Sequence, residues 1–307
     1  MKRMTGRQVF ENLQGVFAPV ATPFNRQGGL DEGRFRANLQ RYAGIGLGGV
    51  VVSGSTGEAP YLSAEERLRL VDIAREYLRP PELLVAGTGL ESTASTIRLS
   101  REAIERGADA LLVLPPSYYK PVMKAELLLA HYRALADSVR RPLLIYSIPQ
   151  FSGISIDVAT LVALAKHPNI AGLKESSGDL RFMRAILGKV KGNFRVLAGS
   201  ATLFLQALRA GASGAVLGPA NFAPQLTVAI YEAFKNRQWK RAADLQQRLA
   251  PLALKIAGPY GVPGVKAAMD LSGYAGGDPR PPLLPLSQHA RRIIRQALHE
   301  SSEGLAF

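Results

Sequence analysis

Short apolar runs alternate with longer amphipathic segments along most of this chain. The runs are rich in valine, isoleucine, leucine and alanine, and they are not interrupted at every second position by a polar residue. Such runs are typical of parallel strands that are buried on both faces. The eight predicted strands lie near Val16–Val20, Gly49–Ser53, Leu83–Thr88, Ala110–Leu114, Leu143–Ile148, Ile170–Lys174, Arg195–Ala198 and Ala215–Leu217.

The segments between these runs have the apolar spacing of helices, and several begin or end with capping residues. Ser63 with Glu66 three residues later predicts a capping box, and Gly107 and Gly211 suit helix ends. Eight successive strand–helix units predict an α/β fold, the (β/α)8 TIM barrel. A doubly wound open sheet is the alternative, but the even spacing and the lack of a phosphate-binding fingerprint favour a closed barrel.

The chain divides into three predicted parts. Residues 1–14 form an N-terminal extension, residues 15–236 the barrel, and residues 237–307 a set of C-terminal helices packed on the barrel. The predicted C-terminal helices are Gln238–Ile256, Val265–Leu271 and Gln288–Ala297, with a proline-rich break at residues 278–282 between the last two. No shift in composition indicates a second independent domain.

Composition and charge narrow the class of protein. The chain has 307 residues, 47% of them hydrophobic, which is enough for one large core. It has neither an apolar run long enough to span a membrane nor an apolar signal core after its basic N-terminus, so we predict a cytoplasmic protein. There is no cysteine, and the four histidines are far apart in the sequence, so no metal site is predicted.

The formal net charge of +14 raises the question of nucleic acid binding. The basic residues are spread along the chain and are not interleaved with aromatic residues, so a solvated basic surface is the preferred interpretation. We predict no nucleic acid partner, and a basic nucleic-acid-binding protein is kept only as the non-enzyme alternative.

The predicted strand ends carry an unusual set of polar residues. A barrel concentrates its function at the carboxyl ends of its strands. The set contains hydroxyls, phenols and one lysine, with no facing carboxylate pair and no Ser-His-Asp arrangement. Its members are Ser55 and Thr56 after the second strand, Tyr118 and Tyr119 after the fourth, Tyr146 at the fifth, Lys174 at the sixth, and Gly199 and Ser200 at the seventh.

Lys174 is the most informative of these residues, because it ends the apolar segment Ile170–Lys174. A lysine there either extends to water or sits in a partly dry pocket, where loss of its proton would let the amine attack a carbonyl. The resulting imine is an electron sink for making or breaking a carbon–carbon bond. The inventory therefore predicts a class I aldolase with Lys174 as nucleophile, Tyr146 as proton-transfer group and no separate cofactor.

Four motifs in this order resemble the dihydrodipicolinate synthase / N-acetylneuraminate lyase family of class I pyruvate aldolases. They are Gly54–Glu58, Tyr118–Tyr119, Tyr146-x-Ile148-Pro149 and Gly172–Ser176, and the similarity extends from Gly15 to about Ser287. The resemblance implies a TIM barrel with C-terminal helices, assembled as a homodimer or as a homotetramer built from dimers. It also implies a Schiff base between a lysine and pyruvate or another small 2-oxo acid.

The resemblance assigns a role to each matching residue. Lys174 corresponds to the imine-forming lysine and Tyr146 to the tyrosine that relays protons. Ser55 and Thr56 correspond to the hydroxyl pair that holds the substrate carboxylate. Tyr119 corresponds to the tyrosine that crosses the dimer interface and completes the proton relay of the neighbouring subunit.

The branch within the family depends mainly on position 151. Synthases of the family carry an arginine there for the carboxylate of the aldehyde, whereas this chain has Phe151, which offers no charge-assisted hydrogen bond. Neuraminate lyases have an apolar residue in that region. Four other stretches are similar to 4-hydroxy-2-oxoglutarate aldolases: Leu84–Thr93, Val196–Ala201, Gly261–Lys266 and Gly273–Gly277. In those aldolases the residue that corresponds to Ser176 is a further substrate contact.

We therefore predict cleavage of 4-hydroxy-2-oxoglutarate, or a similar 4-hydroxy-2-oxo acid, to pyruvate and glyoxylate. The predicted catalytic residues are Lys174, Tyr146, Tyr119 and Thr56. The predicted substrate contacts are Ser55, Thr56, Phe151, Ser176, Gly199 and Ser200. Dihydrodipicolinate synthase, which condenses pyruvate with aspartate semialdehyde, is one alternative, and an N-acetylneuraminate or other sugar-acid lyase is the second.

Overall fold

Eight parallel strands close into a barrel in a computed structural model that describes residues 3–302. Residues 1 and 2 of the predicted N-terminal extension and residues 303–307 of the predicted C-terminal region lie outside the described residues. Each strand pairs with the next, and the first pairs with the last, so the prediction of a TIM barrel is confirmed. The strands are β1 Gly15–Pro19, β2 Gly49–Val52, β3 Leu83–Gly87, β4 Ala110–Val113, β5 Leu143–Ser147, β6 Ile170–Glu175, β7 Arg195–Ala198 and β8 Gly214–Val216.

Helices cover the outside of the barrel. One further helix precedes the first strand, and others follow the eighth strand–helix unit. The predicted capping box at Ser63 and Glu66 is present at the start of the third helix. The helices are α1 Gly6–Asn12, α2 Glu32–Tyr42, α3 Ala64–Tyr77, α4 Thr93–Glu105, α5 Ala125–Ser138, α6 Pro149–Ser152, α7 Val158–Leu164, α8 Leu180–Leu187, α9 Phe204–Ala210, α10 Pro224–Lys235, α11 Trp239–Leu252, α12 Gly258–Leu271 and α13 Gln288–Ser302.

The N-terminal segment closes the amino-terminal end of the barrel. Met4, Val9 and Leu13 are buried and belong to the same apolar cluster as the inward-facing strand residues, Phe17 and Leu83 among them. The barrel interior is thus a packed core at this end, as expected for eight strands. An opening to solvent is left at the opposite end, where the carboxyl ends of the strands lie.

The C-terminal helices form a bent layer that reaches this opposite end. The last turn of α11 continues through a π-helical turn at Ala253–Ala257 into α12, where the sequence predicted a break. Inside α12 the chain kinks at Gly261, whose φ of 53° and ψ of −137° are open to glycine but not to other residues. The kink turns residues 260–263 toward the barrel mouth.

Candidate active site at the carboxyl ends of the strands

Lys174 and Tyr146 face each other on neighbouring strands inside the barrel. They are register partners on β6 and β5, and both side chains are buried, Lys174 with 4% of its surface exposed. The Lys174 Nζ lies 4.0 Å from the centroid of the Tyr146 ring. Lys174 forms no ion pair within residues 3–302. Its amine is therefore held next to a phenol rather than next to a carboxylate.

Ser55 completes this group from the turn that follows β2. Its Oγ lies 3.3 Å from the Tyr146 hydroxyl, within hydrogen-bonding distance. Thr56 occupies the same turn and is half-buried like Ser55. The structure thus brings together Lys174, Tyr146 and Ser55 from three separate elements. Thr56 follows Ser55 in the same turn.

The turn at residues 53–58 keeps its shape through close backbone packing. Ser53 and Glu58 both have positive φ values, 54° and 58°, which is uncommon for residues other than glycine. Gly87 on β3 lies so close that a Cβ there would be 2.0 Å from the Ser53 carbonyl oxygen. The Thr22 hydroxyl donates a hydrogen bond of 2.7 Å to the carbonyl of Gly57. These contacts fix the direction in which Ser55 points.

Ser176 and Gly199 meet beyond the ends of β6 and β7. A Cβ on Gly199 would lie 1.8 Å from the Ser176 Oγ, so only glycine leaves room for this hydroxyl. The Ser176 Oγ is buried and has no hydrogen-bond partner among the described residues. Buried hydroxyls are normally hydrogen-bonded, and the described residues supply no hydrogen bond to this one. Ser200, in contrast, is already paired with Thr202, their side-chain oxygens 2.9 Å apart.

Tyr119 and Phe151 are not part of this group within one chain. Tyr118 and Tyr119 stack edge to face on the surface, with 76% and 68% of their areas exposed. Phe151 in α6 is 69% exposed. The structure therefore places both predicted residues at the surface of the single chain, with most of each ring exposed.

A cavity of about 750 Å³ is lined by Ser55 and Phe151, while Lys174 and Tyr146 are not among its lining residues. Its wall is largely apolar, and the kink in α12 contributes Tyr260, Val262 and Pro263 to it. Tyr260, Val262 and Pro263 were not among the predicted site residues. A sequence signal at this segment was the similarity of Gly261–Lys266 to 4-hydroxy-2-oxoglutarate aldolases.

Arg67 is the one buried cation in the wall of this cavity. Its guanidinium donates hydrogen bonds to the carbonyls of Ala59, at 2.6 Å, and Gly89, at 3.2 Å. Burial lowers the pKa of Arg67. Its two terminal nitrogens donate to the backbone, whereas its Nε is buried and has no hydrogen-bond partner among the described residues.

Glu175 follows Lys174 but projects from the opposite face of β6, because side chains alternate along a strand. It is buried, and burial raises the pKa of its carboxyl, although hydrogen bonds from Ser177 oppose the shift. One of these, from the Ser177 backbone N–H, is 2.6 Å long. Glu175 therefore supports the backbone next to the lysine and does not face the amine.

Two kinds of feature are missing from the described residues. No group of three or more histidine, aspartate or glutamate side chains in residues 3–302 is placed to hold a metal ion. No helix of the same residues is long and apolar enough to cross a bilayer.

Comparison with known proteins points to one family. The profile of the dihydrodipicolinate synthetase family matches residues 12–301. A 4-hydroxy-tetrahydrodipicolinate synthase of Methanothrix thermoacetophila is 36% identical over 95% of this chain and 98% of its own length. A 4-hydroxy-tetrahydrodipicolinate synthase of Methanopyrus kandleri is 34% identical over 93% of this chain and 95% of its own length.

The solved structures give the same result. The prophage protein YagE of E. coli K12, which belongs to the dihydrodipicolinic acid synthase family and was solved in complex with pyruvate, is similar with a TM-score of 0.89. It is 29% identical in sequence, and the match covers 94% of this chain and 99% of that chain.

Proposed function

Because this chain belongs to the dihydrodipicolinate synthetase family, we propose that it is a pyruvate-dependent aldolase with Lys174 as the imine-forming residue. Enzymes of this family are carbon–carbon lyases that use a covalent imine between a lysine and pyruvate, without a separate cofactor. The observation that supports the assignment to Lys174 is its burial against Tyr146, with Nζ 4.0 Å from the ring centroid.

The proposed reaction begins with attack of the Lys174 amine on the keto carbon of pyruvate. Loss of water gives an imine, and loss of a proton from the methyl group gives an enamine. The enamine carbon attacks the partner aldehyde, and hydrolysis of the new imine releases the product and the free amine. The same steps in reverse cleave a 4-hydroxy-2-oxo acid.

Tyr146 and Ser55 provide the proposed path for protons in these steps. Tyr146 is the only phenol within contact of the Lys174 amine in residues 3–302, and Ser55 extends it by one hydroxyl at 3.3 Å. We propose that the Ser55–Thr56 turn also binds the carboxylate of pyruvate, and that the unpartnered Ser176 hydroxyl contacts the substrate from the other side.

Two candidate functions of this protein differ in the identity of the partner aldehyde. The names of the relatives support 4-hydroxy-tetrahydrodipicolinate synthase, and therefore aspartate semialdehyde, better than our sequence-based prediction of 4-hydroxy-2-oxoglutarate aldolase. Phe151 in place of an arginine is the specific observation that keeps the second candidate.

A cation near position 151 fits a carboxylate on either aldehyde. The side chain of Lys120 lies against Gly153, two residues beyond Phe151, with its Nζ 3.1 Å from the point where a Cβ on Gly153 would stand. Lys120 forms no ion pair in the described part of the chain. We propose that its ammonium substitutes for the arginine that Phe151 replaces.

A substrate panel tests the proposed function directly. Pyruvate consumption is measured with aspartate semialdehyde, and pyruvate release is measured with 4-hydroxy-2-oxoglutarate and with N-acetylneuraminate. Lys174→Ala is the control and should lose turnover by several orders of magnitude with every substrate while the barrel remains folded. Turnover that survives in Lys174→Ala would contradict the enamine mechanism, whichever substrate is preferred.

A further inference from the structure

A buried ion pair connects the turn at residues 53–58 to the C-terminal helices. The carboxylate of Glu58 and the Nζ of Lys266 are 2.5 Å apart, and each residue has only 1% of its surface exposed. Glu58 ends the turn that carries Ser55, and Lys266 lies in α12. Because a buried ion pair is rarely more stabilising than apolar side chains of the same volume, stability alone does not account for it.

The remaining polar groups of the pair are bound by the segment that follows α12. The Lys266 Nζ donates a hydrogen bond of 2.9 Å to the carbonyl of Asp278. The second carboxylate oxygen of Glu58 accepts one of 2.8 Å from the backbone N–H of Arg280. Residues 278–280 therefore hold both members of the pair.

Arg280 extends this contact to the first turn of α3. Its guanidinium donates two hydrogen bonds, of 2.8 and 2.6 Å, to the carboxylate of Glu66. Glu66 is the residue that closes the capping box with Ser63 at the start of α3. The C-terminal segment thus binds Glu58, just before the 3₁₀ turn Ala59–Tyr61 of the β2–α3 loop, and Glu66 in the first turn of α3.

The backbone of Glu58 shows why this loop depends on outside contacts. Glu58 has φ 58° and ψ 36°, a left-handed conformation that a residue with a Cβ adopts only when its surroundings impose it. Its N–H donates a hydrogen bond of 3.1 Å to the carbonyl of Ser55. The conformation at Glu58 and the orientation of Ser55 are therefore linked.

We infer that the Glu58–Lys266 ion pair positions the Ser55–Thr56 turn for the carboxylate of the 2-oxo acid. Glu58 and Lys266 are positioning residues, which act through Ser55 and Thr56 and do not touch the reacting atoms. The inference rests on the proposed function, because it assigns the turn to pyruvate binding. It makes the C-terminal helices a part of the active site, although they supply none of the reacting groups.

The test is a double variant, Glu58→Gln/Lys266→Met, which removes both charges and leaves neither one buried alone. We expect a folded protein whose KM for pyruvate rises about tenfold or more, while kcat at saturating pyruvate changes much less. The matched control is Lys255→Met/Glu300→Gln, which removes an exposed ion pair of 2.7 Å from the same helical layer. Its KM for pyruvate should stay at the wild-type value.

Amide hydrogen exchange of residues 53–62, measured without substrate, provides a readout besides activity. Exchange in the turn should be faster in the double variant than in the wild type and unchanged in the control. A folded double variant with wild-type KM and wild-type exchange would overturn the inference. Glu58→Gln alone, which keeps the size of the side chain, is the second variant if the double variant does not fold, and the same two results would overturn the inference there.

Failure of the proposed function gives a different pattern. If the wild type forms no pyruvate adduct at Lys174, the aldolase assignment fails. Faster exchange in the variant would then still show that the ion pair holds the turn, and the link to pyruvate would be overturned.

Discussion

Tyr146 has one polar atom to contribute, and its hydroxyl is the group on which the proton relay depends. Tyr146→Phe keeps the ring against Lys174 and removes only the contact with Ser55. Since a positioned general acid–base group typically contributes a factor of about 10²–10⁴, we expect kcat to fall by that amount. Steady-state kinetics with the preferred substrate measures the loss.

Tyr132→Phe is the matched control for this variant. Tyr132 lies in α5, away from the reacting groups, and its ring is fully buried. Its hydroxyl donates a hydrogen bond of 3.1 Å to the carbonyl of Val113. It should lose about 1 kcal/mol of unfolding free energy and keep its kcat. A Tyr146→Phe enzyme as active as Tyr132→Phe would contradict the proton-relay role.

His131 gives a residue-level prediction about pH and stability. Burial lowers its pKa to about 4, and its Nε2 has no partner in the described residues. Between pH 6.5 and 4 the unfolded chain binds a proton that the folded protein does not, so acidification destabilises the fold. From pH 7 to pH 5, urea unfolding should show a loss of about 2 kcal/mol that is absent in His131→Gln.

The control is His167→Gln, which removes a histidine whose Nε2 is 3.0 Å from Asp137 near the surface. It should retain the pH-dependent loss. Equal pH dependence in the wild type and in His131→Gln would show that this histidine is protonated in the folded protein.

At the scale of elements, the strands were predictable because the barrel buries them on both faces. The predicted fifth strand, Leu143–Ile148, differs from β5 by only one residue, and Ile170–Lys174 also differs from β6 by one. Continuous apolar runs are typical of strands that are buried on both faces. Lys174, near the end of β6, could be selected as the candidate nucleophile because a lysine interrupts that apolar pattern.

The bent layer of C-terminal helices could not be predicted in the same way. Glycine and proline at Gly258, Gly261 and Pro263 indicate a break, and the chain does kink at Gly261 between two helical stretches. The sequence does not give the direction of the kink, which brings residues 260–263 to the wall of the cavity. Glu58 and Lys266 are far apart in the sequence, and nothing local indicates that they meet. These contacts follow from tertiary packing and not from periodicity.

A substitution at Gly261, where α12 kinks, tests the account at the scale of elements. Its φ of 53° and ψ of −137° would strain any other residue by about 1–3 kcal/mol, although nothing lies within 4 Å of a Cβ there. Gly261→Ala should lower the unfolding free energy by that amount. Because residues 260–263 line the cavity, it should also raise the KM for the aldehyde, with pyruvate capture at Lys174 unchanged.

Gly258→Ala is the control, since Gly258 has ordinary helical φ and ψ and a Cβ there would meet its nearest neighbour at 3.4 Å. It should be neutral or slightly stabilising in thermal or chemical unfolding. If Gly261→Ala and Gly258→Ala were equally stable, alanine would not be strained at position 261, and the prediction would be wrong.

At the scale of the whole molecule, the exposed pair Tyr118–Tyr119 predicts self-association. Two adjacent aromatic rings with 76% and 68% exposure are unusual on the surface of a monomer. We expect a dimer or larger assembly by analytical ultracentrifugation. Tyr119→Asp should shift the protein toward monomer and lower kcat, as expected if Tyr119 completes the site of a neighbouring subunit.

Leu284→Asp is the control, because Leu284 is 74% exposed and lies in a different segment. It should leave the assembly and the activity unchanged. A wild-type protein that sediments as a fully active monomer would contradict the proposed role of Tyr119. That role depends on a partner chain, and for this reason neither the sequence pattern nor the single chain establishes it.

The most direct test of the central claim is borohydride reduction in the presence of pyruvate, followed by peptide mass analysis. We predict the mass of one reduced pyruvate on the peptide that carries Lys174, and no such mass when pyruvate is omitted or when Lys174 is replaced by alanine. No adduct, or an adduct on another lysine such as Lys120 or Lys266, would contradict the account.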